Sequence, residues 1–338
     1  MSFYWLLRPL LFSLPPETAH RLTLHLLRAS GSFAPTRLVL EHLFAFPPSP
    51  VRAFGLNFPN RLGLAAGYDK DALAVRGLAA LGFGHIEIGT VTLRPQAGNP
   101  PPRLFRLIED EALINRLGFP SQGAVVVSNR LMKLRKSRQR LPILGVNLGK
   151  NRETPLEEAL QDYLELMRIF APLADYLVIN VSSPNTIGLR RLQGAEMLRS
   201  LLWGLQGERR KMTVTPPLLV KLAPDLEQGE LEDAIGIILE TGIEGVILTN
   251  TTVARPPLRS RYATESGGLS GAPLAERSRQ MLAWVARQAG NRLGIISVGG
   301  IMSAEEAKRR LELGAHLVQI YTGLIYRGPA LIAEIVRG

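Results

Sequence analysis

From Arg61 onward the chain repeats one pattern of apolar and polar positions. Short apolar runs end in glycine or a polar residue, and longer stretches of helical spacing separate them. The strands expected are Leu62–Ala66, His85–Gly89, Ile143–Asn147, Tyr176–Asn180, Leu218–Lys221, Gly245–Thr249, Gly294–Val298 and Leu317–Tyr321. The intervening helices include Leu156–Phe170, Gly229–Glu240 and Ala304–Leu313. Eight alternating units predict an α/β fold, a (β/α)8 barrel, with a doubly wound open sheet as the alternative. Asn147, Asn180, Lys221, Thr249, Asn250 and Tyr321 all fall at C-terminal strand ends, the face on which barrels carry chemistry. Any one of them alone reads as a cap or turn residue. The set together points to a site.

The first 45 or so residues follow a different pattern. Phe3, Tyr4, Trp5, Leu6, Leu7, Leu10, Leu11 and Phe12 crowd one segment, and Pro15-Pro16-Glu17 restarts the chain. Leu22, Leu26 and Ala29 then recur at helical spacing, with Leu27 four after Thr23. His20, His25 and His42 lie here too. Two short amphipathic helices are expected, either a lid packed on the main domain or an interfacial anchor whose arginines meet anionic lipid. Both can hold. The stiff Pro47-Pro48-Ser49-Pro50 linker sets the boundary, giving a helical module over residues 1–46 and a barrel over 47–338.

Composition narrows the chemistry. The 338 residues, 46% hydrophobic and 20% charged, describe a globular chain. Cysteine is absent, which excludes disulfides, thiolate-held metals and any cysteine nucleophile or base. A net charge of +11 favours anionic partners. The densest basic run, Arg130–Arg140, lacks interleaved aromatics and reads first as a solvated helix face, then as membrane attraction. Nucleic acid comes third, with no binding motif behind it. No apolar run reaches the ~18 residues a spanning helix needs. Met1–Leu14 lacks a basic n-region and is interrupted by Arg8 and Pro9, so an unprocessed intracellular protein is expected.

The stretch Asn180–Leu189, NVSSPNTIGL, follows an apolar run with hydroxyls and amides broken by a proline and a glycine. It is either a surface turn or a loop presenting side chains, and its place after the fourth strand favours the loop. Gly299-Gly300 and Tyr321-Thr322-Gly323 occupy the usual barrel phosphate position, with Gly267–Gly271 a second candidate for the same anion. Gly145–Asn151 lacks the spacing and final hydroxyl of a P-loop, no G-x-G-x-x-G follows a strand, and no His pair or carboxylate cluster suggests a metal. Lys70 and Lys221 sit at strand ends and can pair with an anion, stabilise charge on a ring or form a Schiff base. Many amides with few charges suit a planar ring such as a pyrimidine or a flavin.

The segments LAAGYDKD (64–71), EIGTVT (87–92), INRLGF (114–119), GVNLGKN (145–151), NVSSPNTIGL (180–189), VKLAPD (220–225) and LTNTT (248–252), with Gly267–Gly271 and Val318–Thr322, lie in collinear order. Together with the N-terminal helices they resemble the dihydroorotate dehydrogenases, specifically the quinone-linked class 2 branch. The resemblance implies oxidation of dihydroorotate to orotate in pyrimidine synthesis, with one bound FMN and a membrane quinone as final acceptor. It implies Ser183 as the catalytic base, with Thr186 or an ordered water relaying its proton. It implies substrate contacts from Lys70, Asn115, Arg116, Leu117, Gly118, Phe119, Asn180, Asn185, Asn250 and Thr251. FMN would be held by Ala66, Gly67, Tyr68, Asp69, Lys70, Thr90, Asn147, Asn180, Lys221, Thr249, Gly271, Gly300, Tyr321 and Thr322. His20, Arg106 and Tyr321 would lie along the quinone path. A monomer on the cytoplasmic face of a bacterial membrane follows, with no nucleic acid and no metal. Class 1 members use a cysteine base, which this chain cannot supply. The departures are Tyr68 where Leu or Phe is usual, Pro120 where Asn is common, and Thr322 in place of a serine seen in some members. The rivals are an FMN barrel acting on another dihydropyrimidine, a Schiff-base lyase or isomerase, and a non-catalytic membrane scaffold.

Overall fold

The computed structural model describes residues 4–137 and 141–338. Phe3 of the N-terminal apolar cluster and Arg138, Gln139 and Arg140 of the basic run lie outside the described residues. Three helices come first, α1 (Tyr4–Ser13), α2 (Pro16–Ser32) and α3 (Ala34–Leu43), one more than the sequence suggested. A hairpin of β1 (Val51–Ala53) and β2 (Leu56–Phe58) leads into β3 (Leu62–Leu64), α4 (Val75–Ala79) and β4 (His85–Val91). After β5 (Leu104–Leu107), β6 (Ala112–Asn115) and α5 (Ala124–Arg135), the alternation is regular. It runs β7 (Ile143–Leu148), α6 (Ala159–Phe170), β8 (Tyr176–Asn180), α7 (Ala195–Arg209), β9 (Leu218–Leu222), α8 (Gln228–Glu240) and β10 (Gly245–Leu248). The chain closes with β11 (Gly268–Gly271), α9 (Ala275–Ala289), β12 (Gly294–Val298), α10 (Ala304–Glu312), β13 (Leu317–Ile320), α11 (Thr322–Arg327) and α12 (Ala330–Arg337).

The strands β3, β4, β7, β8, β9, β10, β12 and β13 pair in parallel and close into a barrel. These are the eight strands expected from the sequence. Their side chains alternate, so parity decides which residues enter the barrel. On β8, Leu177 and Ile179 pack outward under the helices, while Tyr176 and Val178 belong to the inner core. Asn180 continues the inner series. On β9, Leu218, Val220 and Leu222 face out and Leu219 faces in, which turns Lys221 inward as well. The same parity turns His85 and Glu87 of β4, and Gln319 of β13, into the interior. The outer leucines, isoleucines and valines are almost fully buried, each worth roughly 1.5–3 kcal/mol of transfer free energy.

Both ends of the barrel are covered. At the N-terminal end the β1–β2 hairpin inserts Phe54 and Phe58. A Cβ at Gly245 or Gly294 would lie 2.5 or 2.1 Å from the Phe54 ring, so only glycines at these strand starts admit it. At the C-terminal end an antiparallel sheet in the order β11–β6–β5 roofs the mouth, with Asn115 opposite Gly268. The sequence reading missed this sheet and took Gly267–Gly271, its second candidate for the anion, for a loop. Glycines mask strand character, and here residues 268–271 pair backbone to backbone with 112–115.

The N-terminal helices pack on the barrel flank. Where α2 crosses α4, a Cβ at Gly31 would lie 2.3 Å from the Gly77 nitrogen, and one at Gly77 would lie 2.0 Å from the Leu27 carbonyl. Glycine on both sides lets the two backbones touch. The opposite faces carry Trp5 (67% exposed), Leu6, Leu7, Leu10, Leu22, Leu26, Phe33, Leu38, Val39 and Leu43 in contact with solvent. No helix among the described residues is long and apolar enough to cross a membrane.

Candidate active site

The cleft between the barrel mouth and the roof is lined by residues from nearly every strand end. Its floor is an amide network. Thr90 Oγ1 donates to Asn147 Oδ1 at 2.6 Å, and Asn180 Nδ2 donates to Thr90 Oγ1 and Asn147 Oδ1, each at 3.0 Å. Asn250 Nδ2 donates to Ser182 Oγ at 3.0 Å, and Asn185 Nδ2 crosses to Asn115 Oδ1 of the roof, also at 3.0 Å. Each amide is thus fixed by its neighbour.

Ser183 is almost fully buried in the loop after β8, and its hydroxyl accepts from the Asn185 backbone N–H at 3.2 Å. Thr186 Oγ1, three residues on, is buried with no hydrogen-bond partner. The loop's apex, Ile187, is 82% exposed, but its base is pinned. Arg190 donates to the carbonyls of Ser182 and Thr251 at 3.1 and 2.9 Å and pairs with Asp225 at 2.8 Å. Asp225 in turn accepts from the Thr252 hydroxyl. This clamp was not singled out in the sequence, where Arg190 reads as one of many surface arginines.

Beneath the floor lies a buried charge that sequence reasoning also passed over. The Glu87 carboxylate accepts from Asn147 Nδ2 and Gln319 Nε2, each at 2.7 Å, and stands 3.3 Å from the Lys221 ammonium. Glu87 is wholly buried and Lys221 nearly so. The sequence signal was a carboxylate between Ile86 and Ile88 on a strand with no exposed face.

Most of the expected site residues line the cleft: Ala66, Gly67, Lys70, Thr90, Asn115, Leu117, Gly118, Phe119, Asn180, Ser183, Asn185, Lys221, Thr249, Asn250, Thr251, Gly271, Gly300, Tyr321 and Thr322. Ser270, from the second candidate anion segment, joins them, and Leu104, Leu113 and Gln319 do so without having been anticipated. Others stand elsewhere. Asn147 lies in the layer below. Arg116 turns away, paired with Glu265 at 2.6 Å and stacked on Phe105 at 4.5 Å. Asp69 accepts from the Leu73 and Ala74 amides at 2.8 and 2.7 Å ahead of α4, and burial pushes its carboxyl up to about 6. Lys70 donates to the Gly67 carbonyl at 2.5 Å, and burial pulls its ammonium down to about 8.

Tyr68 and Tyr321 meet edge to face at 5.8 Å, and Tyr68 meets His20 of α2 in the same way at 5.1 Å. These three rings form a continuous contact from the cleft to the N-terminal helices. The His20 imidazole is held neutral, its pKa lowered to about 3 by burial and by the Lys70 charge. Arg106, on β5 of the roof, reaches α1 of the N-terminal module, lying over the Phe12 ring at 4.3 Å and donating to the Phe12 carbonyl at 3.0 Å.

A closed barrel with an amide-lined mouth, a hydroxyl loop over it and glycines after its seventh strand is a (β/α)8-barrel enzyme. The chain belongs to the dihydroorotate dehydrogenase family, whose sequence model, described as "Dihydroorotate dehydrogenase", matches residues 50–338. It is 49% identical to a dihydroorotate dehydrogenase (quinone) from Methylococcus capsulatus, over 100% of this chain and 98% of that one. A protein of the same name from a Roseiflexus species is also 49% identical, over 100% and 93%. Among solved structures, the crystal structure of DHODH from Eimeria tenella in complex with ferulenol superimposes with a TM-score of 0.85 at 38% identity, covering 95% of this chain and 90% of that one. The relatives fall in the quinone-linked, class 2 branch that the sequence resemblance indicated.

Proposed function

We propose that the protein oxidises dihydroorotate to orotate in pyrimidine synthesis, using bound FMN and passing the electrons to a membrane quinone. The observation that carries this reading is the amide cleft with a buried serine on its rim. Planar ring substrates need several directional donors and acceptors and few charges, and the cleft offers that set. FMN, when bound, supplies the acceptor for the hydride that leaves C6 of the substrate.

The chain's own residues fit that cofactor. Gly271 and Gly300 lie at φ of 96° and 79°, and a Cβ on either would lie within 2.4 Å of neighbouring backbone. Bare backbone there can approach a phosphate closely. Ser270 and Thr322 place hydroxyls 2.9 Å apart beside these glycines. Lys221 would set a positive charge by the ring system, with Thr90, Asn180 and Thr249 holding the ring edge. Asn115, Asn185, Asn250 and Thr251 would grip the substrate ring, and Ser183 would take the C5 proton. A serine is a weak base at its ordinary pKa and needs a group to accept its own proton. The unpartnered Thr186 hydroxyl is available for that relay. Anaerobic addition of dihydroorotate to the yellow purified protein tests the reading directly. Bleaching by dihydroorotate and not by dihydrouracil is expected; a colourless protein, or equal bleaching by both, would refute it.

Lys70 gives this reading a pH signature. Below about 8 its ammonium is charged and can pair with the substrate carboxylate. Above that it is neutral and the pair is lost. A bound anion favours the charged form, so the fall in affinity lies at or above that value. Orotate affinity measured from pH 7 to 10 is expected to decline through this window and to be flat in Lys70→Met.

We assign residues 1–46 to quinone access and to peripheral attachment at the cytoplasmic face of the membrane. The exposed apolar faces of α1–α3 and the His20–Tyr68–Tyr321 ring contact support this assignment. Deleting residues 1–45 is expected to abolish quinone reduction and vesicle binding while an artificial acceptor still turns over. Full quinone turnover in the truncated protein would count against it.

A further inference from the structure

Arg310, on α10, is the largest side chain among the described residues with no exposure to solvent. Each N–H of its guanidinium has an acceptor. Nε donates to Glu306 Oε1 at 2.6 Å, and Nη1 donates to Ser278 Oγ of α9 at 2.6 Å and to Ser297 Oγ of β12 at 3.1 Å. Nη2 donates to two main-chain carbonyls, Ala275 at the start of α9 and Gly299 after β12, each at 2.9 Å. The Glu306 carboxylate also accepts from Arg279 Nη1 at 2.6 Å.

A buried ion pair gains little over apolar residues of the same volume, so packing alone does not call for an arginine here. What the guanidinium supplies is direction, because its planar fork fixes where its acceptors stand. The two carbonyls it holds belong to the segments that frame the glycine corner of the cleft, where Leu274, Gly299, Gly300 and Ile301 form the lining. A Cβ on Gly300 would lie 2.5 Å from the Ala275 nitrogen, so these segments meet backbone to backbone. The Gly299–Gly300 peptide is trans, and its C=O and N–H therefore point in opposite directions. Arg310 takes the carbonyl from the helix layer, which turns the Gly300 N–H the other way, toward the barrel mouth. Among the described residues that N–H has no acceptor.

We propose that Arg310 is a positioning residue for the flavin phosphate, fixing the Gly299–Gly300 peptide so that its N–H stays turned into the cleft. It touches neither cofactor nor substrate and acts through the two carbonyls. This rests on the FMN reading above, in which bare backbone at Gly300 meets the phosphate.

The test is phosphorus NMR of the full-length flavoprotein across about pH 5.5 to 8, with flavin release on dilution followed by fluorescence. A phosphate monoester loses its second proton at about pH 6 in water, and hydrogen bonds to the dianion lower that value. The bound phosphate resonance of the parent is expected to stay flat across this range. In Arg310→Gln it is expected to move toward that of free FMN and to titrate, with flavin released about tenfold faster. Arg279→Gln removes the same charge and a bond to the same Glu306 but touches neither carbonyl, and is expected to match the parent. A parental resonance and parental release in folded Arg310→Gln would overturn the proposal. So would equal changes in Arg279→Gln, which would reduce the effect to the packing of α9 on α10. If Arg310→Gln does not fold, Ser278→Ala/Ser297→Ala decides, because it removes the hydroxyls that aim the guanidinium and keeps the charge. That variant is expected to release flavin about threefold faster, and release at the parental rate would overturn the proposal. A parent whose own phosphate titrates like free FMN would instead overturn the glycine corner as the phosphate site, and a parent without flavin would overturn the cofactor reading itself.

Discussion

Ser183→Ala is expected to bind FMN and orotate normally and to slow flavin reduction by dihydroorotate about 10²–10⁴-fold, the range general-base removal produces. The serine's hydroxyl only accepts one backbone N–H, so its loss opens no buried gap in the amide floor. The amides that would hold the ring bond to one another and to Ser182, not to Ser183. Affinity and chemistry should therefore separate cleanly. Anaerobic stopped-flow reduction measures the rate, and an orotate titration of the oxidised protein measures the affinity. Reduction at near-parental speed would remove Ser183 from the role of base, and an equal loss of affinity would make it a binding residue instead.

The second large effect is on stability. Glu87→Ala removes the only carboxylate that pairs with Lys221 among the described residues and strips Asn147 and Gln319 of their acceptor. Breaking a buried ion pair from one side costs about 3–5 kcal/mol, because the remaining charge stays buried without a partner. Urea unfolding should show a loss of that order. The double variant Glu87→Ala/Lys221→Met should recover part of it, since no lone charge is left. If the double variant is as unstable as the sum of its two singles, the pair is not coupled and the loss must come from packing.

The barrel was legible because a parallel strand inside two layers is apolar throughout and ends abruptly where it meets solvent or ligand. All eight barrel strands and the polar residues at their tips were found that way. The site was legible where it lies at a strand end, as for Asn180 and Lys221, and through motifs elsewhere, as for Asn115. What stayed hidden depends on direction. Arg116 sits in a recognisable motif next to Asn115, but neighbours on a strand point to opposite sides, and Arg116 goes to Glu265. Asp69 and Lys70 are adjacent, yet one caps the approach to α4 and the other lines the cleft. Glu87 and Arg190 act through other residues, and their partners lie 134 and 35 positions away in sequence, 221 less 87 and 225 less 190. The roof was missed because its strands are short, β11 begins and ends in glycine, and it pairs with β6 across 153 positions.

That last separation bears on the order in which the molecule can be completed. The roof's two halves leave the barrel after its second and sixth strands, so the cleft has no ceiling until residues 268–271 have been synthesised and have found residues 112–115. Pairings so distant in sequence form late, after the local helices and adjacent strands that bring them together. Ligand capture in the cleft would thus report on nearly the whole chain. An N-terminal fragment ending at β10 would hold most of the amides, Ser183 and Lys221, yet face solvent where Gly268 and Gly271 should stand, so retention of the flavin could serve as a readout of complete folding during synthesis.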